Sequence, residues 1–99
     1  MAKFYAVVRT ATHQTTDCWY YWDKSNARNK FHEIANKIKN RWGYNTSYGS
    51  EYPNGDFWNI TENKVEYTAY GYDELYDYND RVVIKSVRTI LKPKLKFED

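Results

Sequence analysis

Ser25-Asn26-Ala27-Arg28-Asn29-Lys30-Phe31-His32-Glu33-Ile34-Ala35-Asn36-Lys37-Ile38-Lys39-Asn40-Arg41-Trp42-Gly43 is the stretch whose reading decides the fold. Ala27, Phe31, Ile34, Ala35, Ile38 and Trp42 are spaced 4, 3, 1, 3 and 4 apart, which lays one apolar stripe along a helix from about 26 to 42. Ser25 or Asp23 can cap its start, and Gly43 can take the left-handed conformation that ends it. Arg28, Lys30, Lys37, Lys39 and Arg41 lie off the stripe and must face water or a partner. Arg41 complements the negative end of the helix dipole. Arg28, near the positive end, opposes it by a few tenths of a kcal/mol, a small hint that its charge has another use.

Working outward, residues 3–10 read as a strand with Phe4, Ala6 and Val8 on one face and Tyr5, Val7 and Arg9 on the other. Residues 11–16 are polar and read as a loop. Asp17-Cys18-Trp19-Tyr20-Tyr21-Trp22 resumes as a second, aromatic strand, so the two form a hairpin. Beyond the helix, Tyr52-Pro53-Asn54-Gly55-Asp56 is a turn signal, because Pro presets φ and Gly follows Asn. It predicts a hairpin with arms near 45–52 and 56–62. Glu62-Asn63-Lys64 then turns the chain into a strand over 65–70. Residues 71–80 read as a loop or as a short helical turn around 73–78. Val82, Val83, Ile84, Val87, Ile90 and Leu91 mark a long strand over 81–91, which Pro93 ends.

The order β-β-α-β-β-β-β predicts an α+β domain in two layers, an antiparallel β-sheet with the one amphipathic helix packed on one face. Residues 1–92 form this single domain, and 93–99 form a basic C-terminal tail expected to fray. One helix cannot cover such a sheet. The opposite face is therefore expected to be partly open unless a partner or a second copy in a homodimer covers it, and to be the main candidate for exposed Tyr and Trp. Trp58 and Trp19 are the tryptophans most readily expected at the surface.

The chain has 99 residues, room for a single core, and 11 Tyr, 4 Trp and 4 Phe must supply burial that aliphatic residues usually provide. Its net charge of +2 conceals a sorting into blocks. Residues 24–43 carry six bases against one acid, 44–80 carry eight acids against one base, and 81–99 carry six bases against two acids. Sorted charge bears on partners and association rates rather than on chemistry. No apolar run approaches the roughly 20 residues needed to cross a bilayer, so no membrane partner is expected. The single cysteine, Cys18, excludes an intrachain disulfide and fits a reducing cytoplasm.

Within the acidic block, residues 66–80 hold five acids and five tyrosines with no base. Glu66, Asp73, Glu74, Asp77 and Asp80, interleaved with Tyr70, Tyr72, Tyr76 and Tyr78, can imitate the charge and stacking surface of a nucleic acid. They would then occupy a basic groove on a larger protein. The bland alternative is a solvated acidic loop paired with the chain's own basic helix or C-terminal strand. Asp73, Glu74, Asp77 and Asp80 could also serve as ligands to a hard cation, although the EF-hand spacing is absent. In the opposite reading the partner is a nucleic acid. Arg28, Lys30, Lys37, Lys39 and Arg41, with Lys85, Arg88, Lys92, Lys94 and Lys96, would contact phosphates while sheet aromatics stack on bases. An isoelectric point near 8.6 is modest for such a domain, and RRM and KH signatures are missing. Catalysis has little support. His13 falls in a loop, His32 on the polar side of the helix, and Cys18 on a strand with no activating neighbour in sequence. No motif calls for a cofactor.

The passage from Cys18 to Phe31, in which an aromatic strand leads through Asp23 and a cap residue into a helix carrying Ala27 and Phe31 on its buried side, resembles a pattern in small accessory proteins of bacteriophages and mobile elements. The resemblance covers about a quarter of the chain and specifies a β-to-α junction. It implies a compact phage-type protein, including inhibitors of host defence such as anti-CRISPR proteins, acting in the host cytoplasm. The basic groove would then belong to a nucleoprotein defence complex or its nuclease. The expectation from the sequence is a small non-enzymatic binding protein of this kind.

Overall fold

A computed structural model describes residues 2–44, 57–70, 77–91 and 93–99. The helix is α1 (Lys24–Arg41), and it forms where the stripe requires: Ala27, Phe31, Ile34, Ala35 and Ile38 are its buried residues. Asp23 is the N-cap, its carboxylate accepting the Ser25 N–H at 2.7 Å. At the other end the Trp42 N–H donates to the Ile38 carbonyl, and Gly43 takes φ 70°, the left-handed conformation that lets the chain leave the helix.

Five strands make one antiparallel sheet: β1 (Ala2–Ala11), β2 (Asp17–Tyr21), β3 (Phe57–Thr61), β4 (Lys64–Tyr70) and β5 (Asp77–Thr89). Their spatial order is β2-β1-β5-β4-β3. The expected α+β class is thus observed, as β-β-α-β-β-β among the described residues. The predicted arm at 45–52 lies outside them, while its partner arm is β3. β5 starts at Asp77 rather than at 81, because Asp77–Thr89 must pair both with β1 (Ala2↔Thr89 to Ala11↔Asp80) and with β4 (Lys64↔Val83 to Tyr70↔Asp77).

Alternation along these strands sends Tyr5, Val7, Trp19, Tyr21, Trp58, Val65, Tyr67, Val82 and Ile84 toward α1, where they pack with its stripe in one core. Phe31 and Ile38 are buried nearly completely, and burial of Phe31 contributes about 1.5–3 kcal/mol. Trp19 and Trp58 belong to this packing and are half-buried, which corrects their expected surface placement. Trp58 meets the Tyr44 ring at 5.0 Å and the Tyr67 ring at 5.0 Å.

The far face also differs from the open aromatic surface expected. Among the described residues Phe4, Tyr20 and Trp22 gather there in one cluster, and the C-terminal segment closes over it. Phe97 stacks on Trp22 at 4.1 Å and meets Phe4 edge-on at 5.5 Å. Phe97 bridges Tyr20 in parallel, the Glu98 N–H donates to the Tyr20 carbonyl, and the Asp99 carboxylate accepts from the Trp22 and Asp23 N–H groups at 2.9 Å each. The tail is docked rather than frayed. Its one aromatic ring finds a seat, and its terminal acid meets the amide groups that lead into α1.

Candidate functional site

The strand directions give the sheet two ends of different character. At one end β1 and β4 finish, β5 begins and α1 stops. At the other β1 begins, β5 finishes and α1 starts.

At the first end the acidic candidates separate into two groups. Asp80 is fully buried, which removes it from any partner-binding surface. Arg9 grips it through Nε to Oδ1 at 3.2 Å and Nη2 to Oδ2 at 3.0 Å, Trp42 Nε1 donates to Oδ2 at 3.0 Å, and Arg41 Nη1 stands 3.9 Å away. A buried carboxylate persists only when paired and hydrogen-bonded, and Asp80 is both. Three of the roughly four lone-pair sites of the carboxylate are thereby occupied by donors from Arg9 and Trp42. Among the described residues no group of three or more His, Cys, Asp or Glu gathers as metal ligands would. Glu66 is 16% exposed and faces away from the helix. It accepts from Asn79 Nδ2 at 3.1 Å and lies 3.9 Å from both Lys64 Nζ and Arg81 Nη1. Its charge is therefore largely met within the sheet. Tyr78 is half-buried, its ring 4.9 Å from Trp42 and 5.8 Å from the Arg41 guanidinium, and its hydroxyl is enclosed without a hydrogen-bond partner among the described residues. Tyr70 and Asp77 pair in the β4–β5 ladder, so the chain leaves β4 and enters β5 side by side at this end. Tyr72, Asp73, Glu74 and Tyr76 lie outside the described residues, as do the side chains of Tyr70 and Asp77.

The basic helix is mostly neutralised by its own fold. Arg28 Nη2 meets Glu62 Oε1 at 3.0 Å while its Nη1 donates to the Glu62 carbonyl at 2.9 Å. Lys30 donates to Glu33 at 2.8 Å, Lys37 lies 3.7 Å from the same carboxylate, and Arg41 turns toward Asp80. The Lys30 hydrogen bond holds the Glu33 carboxyl below its ordinary value and raises the Lys30 ammonium. Lys30 also lies over the Trp19 ring at 4.8 Å and Lys39 over Tyr44 at 4.9 Å. As a row of phosphate contacts this helix face is weaker than its sequence implies.

Bases instead converge at the second end, around a cleft of about 210 Å³. Lys3 and Tyr5 line it from β1, Lys24 and Arg28 from the start of α1, Lys85 from β5, and Glu62 from the β3–β4 turn. Glu62 is the one acid among the described residues that line it. Arg88 extends the same side, paired in register with Lys3. Sequence reasoning noted Lys85 and Arg88 but missed Lys3 and Lys24. They sit in separate strand and helix contexts: the β1–β5 register brings Lys3 beside Arg88, and the packing of α1 on the sheet brings Lys24 to the same cleft.

The catalytic candidates do not converge. His13 sits exposed in the turn after β1, at φ 63°. His32 is exposed on the helix, while Cys18 is exposed on the sheet face away from it. Among the described residues no helix is long and apolar enough to cross a membrane. No family model matches the chain, and neither a curated protein nor a solved structure matches it.

Proposed function

We propose that the protein is a non-enzymatic binding protein that occupies a basic, nucleic-acid-binding surface of a larger protein with its acidic, tyrosine-rich end. The supporting observation is the pairing of Tyr70 with Asp77, at the sheet end opposite the basic cleft. Along β5, about 26 Å separates position 77 from Lys85, several times the roughly 8 Å over which salt screens exposed charges. The bases from Lys85 onward therefore do little to offset the acidic segment, and Arg81, nearer to it, is turned toward Glu66. The nearer helix bases are turned elsewhere, Arg41 to Asp80 and Lys39 over Tyr44.

With Glu66 and Asp80 consumed by the fold, the contact narrows to Asp73, Glu74 and Asp77, with Tyr70, Tyr72 and Tyr76 as rigid packing area. A phage-encoded inhibitor of a host defence nuclease fits this reading. The test is affinity capture from a lysate of the organism that carries the gene, with and without nuclease treatment. A protein partner that survives nuclease and is lost in the Asp73→Lys/Glu74→Lys/Asp77→Lys variant supports the proposal. Undiminished capture by that variant, with its fold intact by circular dichroism, would sink it.

A further inference from the structure

β5 is the central strand, yet among the described residues half of one side of it has no strand beside it. Its ladder with β4 stops at Lys64↔Val83, and the β3–β4 turn adds one more bond, from the Ile84 N–H to the Asn63 carbonyl at 3.0 Å. From there to Thr89, β1 continues on the other side, but among the described residues no strand pairs with β5 on the β4 side. In an antiparallel sheet successive residues point their N–H and C=O groups alternately to the two sides. Ile84 faces the β4 side, so Ser86 and Arg88 do as well. Both are exposed. The cleft described above opens along this bare edge, with Ile84, Lys85 and Ser86 in its wall.

We infer that this half-edge accepts an extended acidic peptide from a partner protein as an added strand. This goes beyond the function proposed above and stands without it. Main-chain pairing with Ser86 and Arg88 supplies both donors and acceptors, as strand addition requires. A nucleic-acid backbone would meet the cations but would leave the Ser86 and Arg88 carbonyls facing phosphate oxygens, which donate nothing. Side chains of an added strand alternate between faces, so acids at every second position would face the helix side, where Lys3, Lys24 and Arg28 stand. Glu62, at the head of the same lane, already places a carboxylate on Arg28. Just past the edge, Ile90 is 87% and Leu91 78% exposed, in a turn held by the Thr89 hydroxyl donating to the Leu91 carbonyl. That apolar pair suits a protein partner.

The probe is a fluorescein-labelled hexapeptide alternating Glu and Val, titrated against the full chain by anisotropy, with amide exchange followed by NMR. Binding should slow exchange of the Ser86 and Arg88 amides at least about tenfold, a change equivalent to about 1.4 kcal/mol. N-methylating the peptide amides that face β5, or introducing Lys3→Glu with Lys24→Glu, should weaken binding by a similar factor. Lys37→Glu, on the exposed face of α1, should leave it unchanged. Absence of binding overturns the inference. So does equal affinity for the N-methylated peptide, or unaltered exchange at Ser86 and Arg88. Displacement of the peptide by a dodecathymidine strand that binds more tightly would assign the cleft to phosphates instead. The probe does not engage residues 66–80, so its failure leaves the proposed function standing, and failure of the capture experiment leaves this inference standing.

Discussion

Asp80 sits at the junction of three parts of the chain: Arg9 from β1, Trp42 from the end of α1, and its own strand β5 beside Tyr67. Replacing it with alanine would strand the Arg9 guanidinium, whose side chain is only 20% exposed. Breaking one partner of a buried ion pair costs about 3–5 kcal/mol, and the partial exposure of Arg9 places Asp80→Ala near about 3 kcal/mol. Urea denaturation should register that loss as a lower midpoint with little change in slope. A loss under 1 kcal/mol would mean that water satisfies Arg9 in place of the carboxylate. Nothing local in the sequence marks this role. Asp80 closes a run of acids and tyrosines and looks like its neighbours, and its main partner is 71 residues away. Glu66 misleads for the same reason, since Arg81 and Asn79 reach it only through the β4–β5 register.

At the scale of elements, α1 was legible because a helix writes its buried face locally, at a spacing of three and four. The tail was not. Phe97 and Asp99 depend on Phe4, Tyr20, Trp22 and the start of α1, all more than 70 residues earlier, so their sequence reads as a charged end. The first four residues of β5 were hidden because Asn79 and Asp80 break its apolar pattern. Asn79 instead uses its side chain on Glu66 and Thr68, and its main chain on Thr12. The tail makes a pH prediction. The Trp22 N–H, then the Asp23 N–H and the Asn26 side-chain amide, hold the Asp99 carboxyl below its ordinary value of 3.8, although partial desolvation opposes them. A depressed native pKa stabilises the fold above the unfolded value and loses that contribution as pH falls through the native one. The latch should therefore hold at neutral pH and loosen below about pH 4. Tryptophan emission should shift to the red in that window in the wild type, and Asp99→Asn should flatten that part of the titration. Phe97→Ala should loosen the same segment at pH 7, by about 2 kcal/mol because the ring is only half-buried.

For the molecule as a whole, the Tyr70–Asp77 pair and the basic cleft stand as two poles toward opposite ends of β5, which carries the chain about 40 Å from one end of the sheet to the other. The long axis of 48 Å is several Debye lengths at physiological salt. The poles should therefore act independently. Reversing Asp73, Glu74 and Asp77 to Lys should change hexapeptide affinity at the β5 edge by less than about twofold at 0.15 M salt. A larger shift in the same anisotropy titration would show that the ends communicate. The fold class was readable from hydrophobic periodicity, but the poles required strand order, which periodicity does not specify. That order, β2-β1-β5-β4-β3, also bears on how the protein is made. The first strand waits for the fifth, with residue 2 facing residue 89 across the middle of the sheet. During synthesis the β1–β2 hairpin and α1 leave the ribosome with their apolar sides unmatched, and the sheet cannot close at its centre until β5 has emerged. Such long-range closure slows folding and prolongs the exposure of strand edges. For this chain the hazardous interval is the passage from ribosome to finished sheet, and once β5 has emerged the lysines beside its edge restrict pairing there to strands that carry acids.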